Sequence, residues 1–353
     1  MRPSILKTIN NPVNPWQSHQ LEWLGAPPSV QLEVFEDQSR SILSKNDSDD
    51  LPFRWSINPY RGCYHGCAYC YARPSHQYLD FGAGTDFERK LIVKKNAAAL
   101  LKKHFMKKSW TGEVLMFSGN TDCYQPLEAS YQLTRKCLQV CSEFKNPVSI
   151  ITKGTLIERD IDLLRALNKR ARLKVNISIP FWNPEHARAI EPYVASPARR
   201  IQTIKTLANA GITVNVMLSP IIPGLTDSDL PKILEAARSA GASSAYGNIL
   251  RLEPTVAQVF EDRLRACLPM RADKIMNQIR ACRGGQLNNA RIGKRMMGEG
   301  PRWTVIEQLL QHHIKRLGFN EEQELQREST FERPIKVPRS QTTAKQQLSL
   351  FTG

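Results

Sequence analysis

Three cysteines, Cys63, Cys67 and Cys70, lie in the stretch GCYHGCAYCYARP at residues 62–74, while the other five of the chain's eight are scattered. The C-x3-C-x2-C spacing puts three thiolates on one short Gly-containing loop, where small residues let the backbone wrap a bulky ligand. Two ligands suit that donor set. A structural zinc ion needs four closed ligands, so His65, His76 or a distant residue must supply the fourth. A 4Fe-4S cluster held by three cysteines instead leaves one iron open to a non-protein ligand. Zinc ligands usually arrive as two separated C-x2-C halves, and no second half follows here, so the spacing favours iron and sulfide. The first ligand would make the chain a zinc-stabilised nucleic-acid-binding module without catalysis; the second would make it an enzyme.

Such a loop has to be held by a scaffold, and a chain of 353 residues with 41% hydrophobic content can bury a sizeable core. Strand-length apolar runs occur at RWSINPY (54–60), VLMFSG (114–119), PVSIITK (147–153), LKVNISIP (173–180), ITVNVMLSPI (212–221) and YGNILRLEP (246–254). Amphipathic stretches separate them, at 91–105, 128–144, 158–170, 196–211 and 229–241, and these predict helices. Six strands alternating with helices predict a parallel α/β fold with right-handed crossovers, whose functional loops lie at the carboxyl ends of the strands. The cysteine stretch follows the first strand and so belongs to that end. Residues 1–50 read as a peripheral N-terminal extension in which SVQLEVFE (29–36) forms a strand or hairpin arm. Residues 51–258 form the core domain, 259–319 a basic helical region, and 320–353 a polar tail expected to be disordered.

No run of about 18 apolar residues is available for a membrane span, and the N-terminus lacks the apolar segment of a signal peptide. A cytoplasmic location follows as an expectation, in which reduced thiols serve as ligands or as small buried residues. Cys137 and Cys141, four apart on one helix face, are expected in the core. The formal net charge of +16 favours a polyanionic partner.

The pattern C63-YHG-C67-A-Y69-C70 after a first strand resembles the signature of radical S-adenosylmethionine enzymes, and SINPYRGCYHGCAYCYARP looks like the subgroup that includes spore photoproduct lyase. The resemblance implies a partial (β/α)6 barrel and a 4Fe-4S cluster on Cys63, Cys67 and Cys70. It further implies S-adenosylmethionine chelated to the open iron and cleaved on reduction to a 5'-deoxyadenosyl radical, with electrons from a reducing donor. Tyr69 would lie near the adenine. Thr121 and Asp122 of SGNTD (118–122) would meet the methionyl amine, Lys153 the methionyl carboxylate and Ser178 the ribose.

One departure stands out. Photoproduct lyases carry a hydrogen-donating cysteine at the position that corresponds to Gly119, so the resemblance does not extend to dimer reversal by that route; Cys123, just after Asp122, is the candidate donor or substrate-facing thiol here. At the other end of the chain, QLSLF (347–351) resembles the peptide by which bacterial replication and repair proteins dock to the DNA sliding clamp. Leu348, Leu350 and Phe351 would enter an apolar groove and Gln347 would bond at its edge. Charge and tail together point to DNA as substrate or location, for repair or modification, with RNA and protein as competing substrates.

Overall fold

The computed structural model describes residues 31–321 and 329–334; most of the N-terminal extension and the whole QLSLF peptide lie outside the described residues. In chain order the strands are β1 (Glu33–Glu36), β2 (Leu43–Lys45), β3 (Trp55–Ile57), β4 (Tyr60–Arg61), β5 (Lys90–Val93), β6 (Leu115–Phe117), β7 (Val148–Thr152), β8 (Leu173–Ser178), β9 (Val214–Met217) and β10 (Ser244–Tyr246). The helices up to the middle of the chain are α1 (Thr85–Arg89), α2 (Ala97–Phe105), α3 (Glu128–Tyr131), α4 (Leu133–Glu143), α5 (Ile161–Arg170) and α6 (Pro184–Ile190). They are followed by α7 (Pro197–Asn209), α8 (Leu230–Ser239), α9 (Pro254–Cys267), α10 (Ala272–Ala281) and α11 (Pro301–Arg316).

Strands β3, β6, β7, β8, β9 and β10 are parallel and adjacent in sequence order, and β2 adds an antiparallel edge beside β3. Sequential parallel neighbours joined by helices are the topology of a partial barrel. One face of each strand is apolar: Leu115, Val148, Ile150, Val175 and Val214 pack with helix residues such as Leu101, Leu138, Leu164 and Leu207 in the main core. Several of the alternate residues are polar, because side chains on a strand switch face at every position. Ser149, Asn176 and Asn215 form a buried hydrogen-bonded ladder across three strands, with Asn215 Nδ2 donating to Asn176 Oδ1 at 3.0 Å and Asn176 Nδ2 donating to Ser149 Oγ at 3.3 Å. By the same alternation Lys153 and Ser178 belong to the polar face.

Four segments depart from expectation. The helix predicted from residue 91 begins only at Ala97, because the apolar run KLIV pairs as β5 with both β1 and β4 in a separate three-stranded sheet. The helix predicted over 128–144 breaks at Gln132, whose φ of 51° is left-handed, and the Glu128 carboxylate accepts from the backbone N–H groups of Thr134 and Arg135 at the new N-terminus. The sixth strand lies earlier than predicted, since Arg283 takes the carbonyls of Ile249 and Leu250 and leaves Ile249 only an isolated bridge to Ile221. The tail is not wholly free of the domain either. At residues 329–334 Phe331 packs against Phe105 and Phe144, and Arg333 donates to the carbonyls of Phe105, Lys107 and Trp110. These contacts precede β6 and β7, so the tail is fastened at the amino ends of the strands. No helix among the described residues is long and apolar enough to cross a membrane.

Candidate active site

Cys63, Cys67 and Cys70 all carry free thiols, the first two buried and the third partly so. The loop that bears them is turned on itself by backbone bonds from Gly66 N to Cys63 O at 3.3 Å and from Cys70 N to Cys67 O at 3.2 Å. Neighbouring segments hold it from outside: Cys63 N donates to Phe87 O at 2.9 Å and Ala68 N to Ile190 O at 3.0 Å. Burial, then Asp122 and the other two thiols, raises the Cys63 pKa, and burial pushes Cys67 up to about 12 against the pull of Lys153. Ligation therefore has to displace protons from the site.

Gly62 makes the entry to the loop possible. Its φ is +71°, and a Cβ there would stand 2.8 Å from Leu91 Cδ2 and 2.9 Å from the Phe87 carbonyl oxygen. Gly62→Ala is expected to cost about 1–3 kcal/mol through backbone strain and crowding. A lowered melting temperature and reduced iron uptake would check it.

The second-strand motif follows β6 directly. Asp122 is almost fully enclosed: its Oδ1 accepts from Thr152 Oγ1 at 2.6 Å and Tyr124 N at 2.9 Å, while Oδ2 accepts from Lys153 N at 2.8 Å and faces His65 Nδ1 at 3.3 Å. Burial alone would raise its pKa, but His65 and these donors outweigh it and hold the carboxyl well below the usual range. Asp122 thus ties the cysteine loop to the ends of β6 and β7, a framing role that its position as an expected amine ligand did not reveal. Thr121 is different, since its buried Oγ1 has no hydrogen-bond partner, while its N–H is fixed by Asn58 Oδ1 at 3.2 Å. Lys153 Nζ stands 5.6 Å from the Tyr69 ring centroid. Burial would lower its pKa, yet Cys67, Glu191 and Asp122 carry it above the ordinary value, so the ammonium is retained.

Tyr69 is itself anchored. Its hydroxyl donates to Glu191, which pairs with Arg200 at 2.6 Å; Arg200 also donates to Ser178 O at 2.8 Å and Ala195 O at 3.0 Å. This buried chain joins the cysteine loop to the end of β8 and brings Tyr69, Lys153 and Ser178 into one neighbourhood. Nothing in the local sequence marks Glu191 or Arg200, because neither belongs to a motif and Tyr69, which they anchor, stands 122 residues before Glu191.

Cys123, expected as a donor or substrate-facing thiol, lies in the main core. It is completely buried in the main core beside Phe117 and Cys137, and its carbonyl accepts from Thr134 Oγ1 at 2.6 Å. Its thiol is hydrogen-bonded to the Ser118 side chain and has no exposed surface. Nor does Gly119 leave room for a donor side chain, since a Cβ there would lie 2.7 Å from Ser56 Cβ. Cys137 and Cys141 are fully buried in the same core, and Cys267 is exposed.

The donor set fits a cluster better than a zinc ion. His65 Nδ1 turns to Asp122, and His76 Nε2 bonds to Lys90 O at 2.8 Å, which leaves the buried His76 Nδ1 without a partner but in no group of three converging donors among the described residues. Among the described residues no three His, Cys, Asp or Glu side chains converge as a single ion requires. A tetrahedral zinc would draw sulfurs to within about 4 Å of each other, whereas a cluster with one iron per thiolate needs a wider cradle.

Comparison with known proteins agrees. The pattern of the Radical SAM superfamily matches residues 57–237, more than half of the chain. An uncharacterised protein of Mycobacterium tuberculosis strain H37Rv is 40% identical over 231 residues, covering 64% of this chain and 68% of its own. A radical SAM Nα-GlyT isomerase of Pseudomonas phage M6 is 25% identical over 185 residues, 52% of this chain and 36% of its own. Spore photoproduct lyase, solved with a dinucleoside spore photoproduct, shares the fold at a TM-score of 0.59 and 15% identity, over 84% of this chain and 86% of that one. Enzymes of this superfamily use a 4Fe-4S cluster and S-adenosylmethionine. With three free thiols on the loop after the first parallel strand and a motif match across the barrel, the chain belongs to the Radical SAM superfamily.

Proposed function

We propose that this enzyme carries out radical chemistry on nucleic acid, with DNA repair or modification as its task. Cys63, Cys67 and Cys70 hold the cluster, and the observation that carries this is their three free thiols on a loop latched to the strand ends by Asp122. S-adenosylmethionine is held by this chain's own polar groups: the unpartnered Thr121 hydroxyl, the Lys153 ammonium, Ser178 and the Tyr69 ring. When bound, the pair supplies a 5'-deoxyadenosyl radical after one-electron reduction. The residues around it exclude water, with Tyr69, Thr121 and Ser178 all buried, and Asp122 serves the site by framing it.

A nucleic-acid substrate is supported by the +16 charge and by the surface beside the loop. Tyr71, next to Cys70, is 50% exposed and carries the Arg251 guanidinium 5.7 Å from its ring centroid. An exposed aromatic ring with an arginine against it is a surface on which unstacked bases stack. Spore photoproduct lyase, of like fold, holds a dinucleoside. Docking of QLSLF to a sliding clamp is favoured by the attachment of residues 329–334 at the amino ends of the strands, away from the cysteines. Thirteen further residues reach position 347, a tether of up to about 45 Å.

Two measurements test these readings. Anaerobic protein reduced with dithionite and given S-adenosylmethionine should form 5'-deoxyadenosine, detected by mass. Its affinity for single-stranded DNA should fall steeply with salt in a log–log plot, and a flat plot would sink the nucleic-acid reading while leaving the radical chemistry intact. Equal affinity of purified bacterial clamp for the full chain and for one lacking residues 347–353 would dispose of the docking peptide.

A further inference from the structure

We propose that Arg73 is the positioning residue that preforms the cysteine loop for its cluster, an inference that rests on Cys63, Cys67 and Cys70 being the ligands. Arg73 follows the third cysteine by three residues and is the largest fully buried side chain among the described residues. A guanidinium has five N–H donors, and here each has an acceptor. Nε–H donates to Cys67 O at 3.0 Å, and Nη1 donates to Ala83 O and Gly84 O, both at 2.9 Å. Nη2 donates to Gly66 O at 3.1 Å and to Glu88 Oε1 at 2.6 Å.

Two of those acceptors are consecutive carbonyls of the ligand loop, one of them belonging to a ligand cysteine. Cys67 O also accepts from Cys70 N at 3.2 Å, so Arg73 grips the turn that sets the distance between the second and third thiols. The remaining acceptors lie at the start of α1 and on Glu88 within it, which makes Arg73 a bracket between that helix and the loop. Residues 62–72 contain no helix or strand of their own. Without such a bracket their conformational freedom would be lost only when the cluster bound, weakening its retention. The bracket shifts that ordering into folding.

A buried ion pair is poor evidence for stability, and its better-attested use is to select one geometry. Arg73 fits that use because Glu88, itself buried, neutralises the cation while the backbone carbonyls absorb its other donors. Lysine cannot reproduce this, having three donors on a point charge where the site presents five acceptors in a plane.

Arg73→Lys is the test, because it keeps a cation beside Glu88 and avoids an uncompensated buried charge. The apo and cluster-loaded proteins would be compared with the parent and with Arg159→Lys, a matched arginine exchange outside the loop. Expected for Arg73→Lys are at least tenfold faster amide hydrogen exchange over residues 62–72 in the apo protein, at least tenfold faster iron release to a chelator, and a displaced midpoint potential. Arg159→Lys should lower the melting temperature and move none of the three. If Arg73→Lys does not fold, the double variant Arg73→Met with Glu88→Leu removes the pair as a unit and is read by the same three measurements. Parent-like exchange, release and potential in the folded variant overturn the proposal. A parent protein that loads no cluster overturns the ligand assignment, and this inference with it.

Discussion

Cys67→Ala is expected to empty the protein of iron and sulfide and to reduce 5'-deoxyadenosine to the level of a protein-free control. Three thiolates hold three irons of a cluster and leave the fourth open; with only Cys63 and Cys70 remaining, a second iron loses its protein ligand. His65 Nδ1 is engaged with Asp122 and His76 Nε2 with Lys90 O, so a rescue of the cluster would have to draw on His76 Nδ1, which is buried without a partner. The informative contrast is with the other buried cysteines. Cys123, Cys137 and Cys141 are all fully buried in the main core, and their change to Ala removes a small apolar group, costing about 1 kcal/mol. Those variants should keep the visible absorption of the cluster and the product distribution of the parent. A Cys67→Ala protein that retained the cluster spectrum would refute the ligand assignment.

Glu191→Gln is expected to destabilise the fold more than any other single exchange at the site. Glu191 and Arg200 are each 1% exposed, and the carboxylate also accepts from the Tyr69 hydroxyl. Gln preserves the shape and one acceptor but leaves the Arg200 guanidinium buried without a counter-charge, which costs about 3–5 kcal/mol. At roughly 2–4 °C per kcal/mol, the melting temperature should fall by about 6–20 °C. Arg200→Met should fall comparably, whereas Glu191→Leu with Arg200→Met should recover much of the loss because no charge is stranded. A double variant as unstable as the sum of the two singles would show the two residues acting independently. Calorimetry on the apo protein separates this from loss of cluster. S-adenosylmethionine affinity of the loaded protein should also weaken, since Tyr69 and the end of β8 lose their common anchor.

Much of the architecture could be read from local pattern. RWSINPY, VLMFSG, PVSIITK, LKVNISIP and ITVNVMLSPI each contain a parallel strand because each buries one apolar face under helices, and a two-residue alternation is visible without partners. The cysteine loop was legible for a similar reason, as ligand spacing is a local property of the chain. The polar inner face was implicit in the same runs, in Ser149, Asn176 and Asn215 standing between apolar residues. Segments whose conformation depends on remote partners read wrongly. KLIV has helix-like surroundings but lies between β1 and β4, and YGNILRLEP looks strand-like but gives its carbonyls to Arg283.

The sequence by itself favoured an iron-sulfur cluster, through three cysteines at fixed spacing, and carried the resemblance that implies S-adenosylmethionine; the order of its apolar runs predicted the parallel barrel. Tertiary structure decided where the neighbouring side chains stand. Asp122 is drawn into framing by donors from β7 and from His65, Cys123 is turned into the core, and Tyr69 is fastened through Glu191 to Arg200. The physical reason is burial. A polar group removed from water must find partners, those partners stand from nine to more than a hundred residues away in the chain, and only the folded backbone brings them within hydrogen-bond distance.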